Sequence, residues 1–206
     1  MQQDNKMKKI LLFSLLVLLS ACFGGGESIP QDQFYRLSAV SYHGDRLEPI
    51  VPVIAVSALD SDVLHRERAI LYSQLDKPLK LQRYHYHHWT HVPSKLIQDH
   101  LVDYLRSSGI AGQVIRYGEQ ANIDAEIGGQ LKRFERVIGT SHTTVVVQLE
   151  LFYKNRGKNP RLYQNVYAQQ VAVSDNSMHA TAMAFSQALQ AIYADFIQDV
   201  IKQTTS

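Results

Sequence analysis

Apolar and polar positions alternate along this chain in short stretches, so its elements can be read one at a time. Residues 34–40 (FYRLSAV) and 50–56 (IVPVIAV) are β-branched and aromatic runs separated by a polar turn at Gly44-Asp45, and both predict strands. Pro52 assigns the second to a sheet edge or a strand start, because proline donates nothing to a ladder. Residues 59–64 predict a turn or a single helical turn. Residues 68–73 and 79–84 predict two further strands, broken at Asp76-Lys77-Pro78. Pro93 stands where a helix would start, and Leu96, Ile97, Leu101, Tyr104 and Leu105 follow at helical spacing, with Gly109 as the terminating residue. A short strand is predicted at 113–117.

Residues 123–131 alternate cleanly, with Ile123, Ala125, Ile127 and Leu131 on one side, which reads as a half-buried strand. Gly128-Gly129 within it marks a bulge or a close backbone approach. Residues 143–153 and 162–173 predict two long strands, joined as a hairpin by the turn signal at 155–159. The chain closes with a helix over 177–203, whose stripe is Met178, Ala182, Phe185, Leu189, Ile192 and Phe196. The order strands, helix, strands, helix predicts an α+β single domain: a mixed or antiparallel β-sheet with two main helices packed on one face.

The amino end follows a different pattern. Lys6, Lys8 and Lys9 precede an apolar run from Ile10 to Leu19, which ends in Leu19-Ser20-Ala21-Cys22. That run is about half the roughly 20 residues needed to span a bilayer, and the whole has the charged, apolar and small-residue regions of a secretory signal. Met7-Lys8-Lys9 reads as a more natural start than Met1. Small residues at Ser20 and Ala21 admit a signal peptidase, and the thiol of Cys22 accepts a diacylglycerol, so residues 1–21 are read as a lipoprotein signal peptide. Cys22 is the only cysteine in the chain. Acyl chains such as palmitate on Cys22 would anchor the protein at about 0.8 kcal/mol per buried methylene. Phe23 stands where an aspartate would signal retention in the inner membrane, so the expected address is the outer membrane of a Gram-negative cell, facing the periplasm. Residues 22–33 are then a lipidated amino terminus and flexible tether, rich in glycine and able to reach at most roughly 35–40 Å. Residues 34–206 form the periplasmic domain.

Charge narrows the partners. Residues 22–206 carry equal numbers of basic and acidic side chains, which gives no basic excess for nucleic acid. With Cys22 acylated, no thiol remains for a disulfide, a thiolate metal site or redox chemistry. The sequence holds no G-x-S-x-G, P-loop, G-x-G-x-x-G or H-E-x-x-H motif, so no catalytic residues, cofactor or metal site is assigned. His85, His87, His88 and His91, with His100 beyond them, form a cluster lacking a completed ligand set, and it reads as a solvated, His-rich strand end. His85 and His87 share a strand face and His88 points the other way. Asp124 and Glu126 lie on the polar side of their strand, and Ser141-His142 is a turn pair without a third member. The aromatic run Tyr84, Tyr86, Trp89 and Pro93 is more distinctive: it reads as a packing corner over the helix start, or else as an aromatic partner surface.

Taken together, several features resemble the ABC-type transport auxiliary lipoprotein family. They are the lipobox, Phe34-Tyr35-Arg36-Leu37 after a short tether, the strand at 50–56, the run Tyr84-x-Tyr86-x-x-Trp89-x-x-x-Pro93 opening a helix, and Gly129-x-Leu131-x-x-Phe134-Glu135 before a long strand pair and terminal helix. The histidines inside the aromatic run fall outside that pattern. The resemblance implies an outer-membrane-anchored periplasmic protein that is not an enzyme. It would work as a docking component with an MCE-domain protein in moving lipids across the envelope, and would assemble into a homo-oligomeric ring. Two other functions share the anchor and the fold class: a direct lipid carrier, and an assembly factor for an outer-membrane protein.

Overall fold

Nine strands and two helices follow one another in a computed structural model that describes residues 30–119, 122–157, 160 and 162–205. They run β1 (Gln33–Tyr35), β2 (Val51–Val56), β3 (Asp60–Ser61), a 3-10 turn (Leu64–Arg66), β4 (Ala69–Gln74), β5 (Lys77–Trp89), α1 (Pro93–Ser108), β6 (Ala111–Arg116), β7 (Ala125–Ile138), β8 (Thr143–Asn155), β9 (Leu162–Ala172) and α2 (Met178–Thr205). The predicted signal peptide, Cys22 and the tether up to residue 29 lie outside the described residues.

β7 is the spine of the sheet. Along one edge it pairs antiparallel with β8 from Ala125↔Asn155 to Ile138↔Thr143, and β9 continues beyond β8. Its other edge forks. β2 lies parallel to its first residues (Ile54↔Ala125, Val56↔Ile127), β3 to its middle (Ser61↔Leu131) and β4 to its end (Leu71↔Glu135, Gln74↔Ile138). β6 extends the β2 branch, while β5 and β1 extend the β4 branch. Pro52 falls in the part of β2 that precedes its pairing with β7, so it occupies a strand start, as its missing donor requires. Gly129 is the close approach: a Cβ there would overlap the Glu150 carbonyl oxygen across the β7–β8 ladder. The bulge itself lies two residues further on, between Leu131 and Arg133.

Alternation turns Ile54, Val56, Ile127, Leu131, Val147 and Leu149 toward one face, where both helices cover them. The whole predicted stripe of α2 is buried there, from Met178 to Phe196. α1 begins at Pro93 and ends at Gly109, whose φ of 78° is the left-handed conformation that closes a helix. The mixed sheet and two one-sided helices are the α+β arrangement that the order of elements predicts.

Besides β7, which is predicted to end at residue 131 but runs on to Ile138, two stretches differ from expectation. The strand predicted over 34–40 ends at Tyr35, because its only partner, β5, leaves the sheet at Trp89. Residues 36–50 instead cross the helices, and helix groups satisfy their backbone. Ser38 N–H donates to Ser186 Oγ, Tyr42 N–H to Ser107 Oγ and Leu47 N–H to the Ser108 carbonyl. The second difference is β5, which does not stop at Tyr84 but runs through the histidines to Trp89.

Candidate functional site

The run from Arg83 to Trp89 combines alternating aromatic and imidazole side chains with an irregular register. Against β4, Leu71 faces Arg83 whereas Ala69 faces His88, so five residues of β5 span the length that two residues of β4 cover. The three extra residues form a wide bulge, a device that re-aims side chains. Its parity matters. Directly opposed residues share a face, and Ala69 and Leu71 are two apart, so His88 falls on the same side as Arg83. In a regular strand residues 83 and 88 would point apart. The expectation that His88 opposes His85 is therefore corrected by the bulge, which simple alternation cannot show.

Trp89 ends the run with 1 % of its surface exposed. Its ring centroid lies 5.3 Å from Phe134 of β7 and 5.3 Å from Phe185 of α2, and those two lie 4.2 Å apart. Its backbone N–H donates to the Arg68 carbonyl at 2.6 Å, and Thr90 N–H donates to Tyr35 at 2.8 Å, so the corner is tied at both sides. Pro93 is buried at the first turn of α1. Trp89 and Pro93 thus pack the corner. Tyr84 is half-buried, with its ring 4.5 Å from that of Tyr72. Its hydroxyl accepts a 2.7 Å hydrogen bond from Arg136 Nη1. Arg136 is 6 % exposed, and its Nη2 donates to the Asn176 carbonyl at 3.1 Å, so it clasps β5 to the loop before α2. Among the described residues no carboxylate pairs with it and its Nε finds no partner. Only Tyr86 of the four aromatic-corner residues faces water, at 45 % exposure.

The histidines separate into different roles. His87 Nδ1 lies 3.2 Å from the Tyr35 hydroxyl, and burial followed by the nearby His88 and Arg136 charges lowers its pKa. His88 Nε2 lies 3.3 Å from Asp32. His91 is exposed. His100 is buried on α1, between the Ser38 carbonyl (3.1 Å) and the Tyr193 hydroxyl (3.4 Å), and burial pushes its pKa down to about 4. Among the described residues no three histidine, aspartate or glutamate side chains gather around one point. Asp124 accepts from Val53 N–H at 3.0 Å, while Glu126 accepts from Ser57 at 2.9 Å and from Arg156 at 2.7 Å. Both carboxylates hold strands together. Ser141 and His142 form a 3.0 Å pair on an exposed turn.

One grouping was not visible in the sequence. Arg66, Glu67, Arg68, Arg83, His85 and His88 line a surface recess of about 570 Å³ on the β4–β5 branch. Its cations come from the 3-10 turn, the start of β4 and both sides of the β5 bulge, so no spacing rule collects them.

A forked mixed sheet with two helices on one face makes this an α+β domain, with its aromatic corner buried and Asp124 and Glu126 held in structural bonds. The chain belongs to the ABC-type transport auxiliary lipoprotein component family, whose profile matches residues 41–196. This is a family of transport auxiliary components and not a known enzyme family. Solved structures share the fold. The protein XCC0632 of Xanthomonas campestris is 18 % identical with a TM-score of 0.70, over 80 % of this chain and 92 % of that one. A second, of an uncharacterized protein, is 12 % identical with a TM-score of 0.65, over 82 % and 99 % of the two chains. No curated protein matches the chain by sequence comparison.

Proposed function

We propose that this chain is an outer-membrane-anchored periplasmic lipoprotein and a non-enzymatic docking component of an MCE-type envelope lipid-transport system. Family membership supports an auxiliary role in transport, and the Leu19-to-Cys22 lipobox with Phe23 after it supports the anchor and its address. The observation that favours docking over lipid carriage is the filled space between sheet and helices. Trp89, Ile97, Leu101, Phe134, Phe185 and Leu189 occupy it, none more than 1 % exposed. An acyl chain could enter only by displacing them, and interiors packed to this density resist even small insertions. Tyr86, exposed beside that rigid corner, is the aromatic residue we assign to partner contact, with Tyr84, Trp89 and Pro93 holding it in place. Self-assembly into a ring would use heterologous contacts, the same two unlike surfaces meeting around the circle.

A crosslinked pull-down of the lipidated protein from its native envelope, with proteins and lipids both identified, tests the reading. Recovery of an MCE-domain protein is the expected result. Lipid recovered alone would make the protein a carrier, and a β-barrel recovered alone would make it an assembly factor.

A further inference from the structure

We propose that the recess on the β4–β5 branch binds a phosphoryl anion, and that its source is the phosphodiester of a lipid headgroup. Three guanidinium groups and two imidazoles line the recess against one carboxylate, Glu67, which pairs with Arg83 at 2.6 Å. Two other carboxylates approach its rim: Asp60 lies 3.6 Å from Arg66 and Asp32 lies 3.3 Å from His88. Arg68 is different. Its guanidinium carbon stands 5.4 Å from the centre of the Phe34 ring, and among the described residues no carboxylate pairs with it. An aromatic face holds the guanidinium plane while leaving its N–H fork open, which is the geometry that engages two oxygens of a phosphoryl group at once.

The bulge in β5 makes the cluster possible, because it turns His88 onto the side that carries Arg83. Phe34 follows from β1, whose register sets it against His88, with ring centroids 5.6 Å apart. The stretch from the 3-10 turn to β4 and the β5 bulge therefore present donors to one volume, of the size that small-molecule sites occupy. Arg66 and Arg83 each have a carboxylate partner, so Arg68 is the guanidinium left open among the described residues.

Placement selects the lipid. Asp32, at the rim, is ten residues from Cys22, a distance that an extended chain covers in at most roughly 36 Å. A domain anchored at Cys22 keeps this recess within reach of a surface of phosphodiester headgroups, where a freely diffusing anion has no comparable local concentration. The preference for a headgroup rests on the anchoring proposed above. The recess and the docking role are tested separately, so either can fail without the other.

The test is calorimetric titration of the mature lipidated protein in nonionic detergent, at low salt and without phosphate buffer. The probes are dihexanoyl phosphatidylglycerol below its micelle concentration and inorganic phosphate. Both should bind and compete with each other, with the headgroup tighter. Arg68→Gln and Arg83→Gln should each weaken binding by about tenfold or more, and Lys80→Gln, on β5 but outside the recess, should leave it unchanged. Equal affinity for the two probes would support the phosphoryl site and reassign it to the free anion. Absence of binding to either probe, or binding indifferent to both arginine substitutions, would overturn the proposal.

Discussion

Trp89 joins three elements through ring contacts with Phe134 and Phe185, and all three rings are buried. Trp89→Ala should therefore lower stability by about 3–5 kcal/mol, read as a drop in the urea midpoint at unchanged slope. Unchanged stability with lost partner binding would instead make the indole an interface anchor. His100 gives a pH prediction. The unfolded chain takes up this proton near pH 6.5, but burial holds the folded imidazole neutral down to about pH 4. Between those values the unfolded state binds more protons, so stability falls as pH falls. The contribution, about 3 kcal/mol, is fully present above pH 6.5 and gone by pH 4. His100→Gln should flatten the dependence of the urea midpoint between pH 7.5 and 4.5, and a wild-type slope retained in the variant would rule the histidine out.

Among elements, α1 has sharply defined ends. Gly109 adopts φ 78°, and a Cβ there would meet Arg46 and the Leu47 carbonyl at about 3 Å. Gly109→Ala should cost about 1–2 kcal/mol, measurable by thermal denaturation, whereas an unaltered midpoint would mean that the turn can re-form elsewhere. This helix was legible in the sequence because Pro93, the apolar spacing and Gly109 agree. The β8–β9 pairing was legible because both strands alternate on either side of a turn signal in the sequence, part of which (158–159) lies outside the described residues. β5 was not. Its extra residues carry the same aromatic and histidine composition as the regular strand around them, and a register shift is fixed by the partner strand. The segment 36–50 misled for a related reason. Its apolar residues Leu37, Val40, Tyr42 and Leu47 do pack on the core, but from irregular backbone held by helix side chains. The arginine recess needed tertiary structure to assemble it.

For the molecule as a whole, the anchor proposed at Cys22 would decide where the domain acts. Cys22→Ser should abolish acylation and move the protein from the membrane to the soluble periplasmic fraction on cell fractionation. Retention of the variant in the membrane would refute the localisation argued from the lipobox. The forked pairing of β7 carries a further consequence, for the order in which the protein can be made. Ile54 and Leu71 meet their partners on β7 only at Ala125 and Glu135, and α2, which seals the core, comes last. Long-range parallel pairing of this kind forms slowly and leaves bare edges until it is complete. A chain threaded across the inner membrane amino end first would present β2 and β4 to the periplasm well before β7, the strand that pairs with both, emerges. For a chain exported in this way, export and folding would be forced into sequence, with the sheet left incomplete until β7 has crossed.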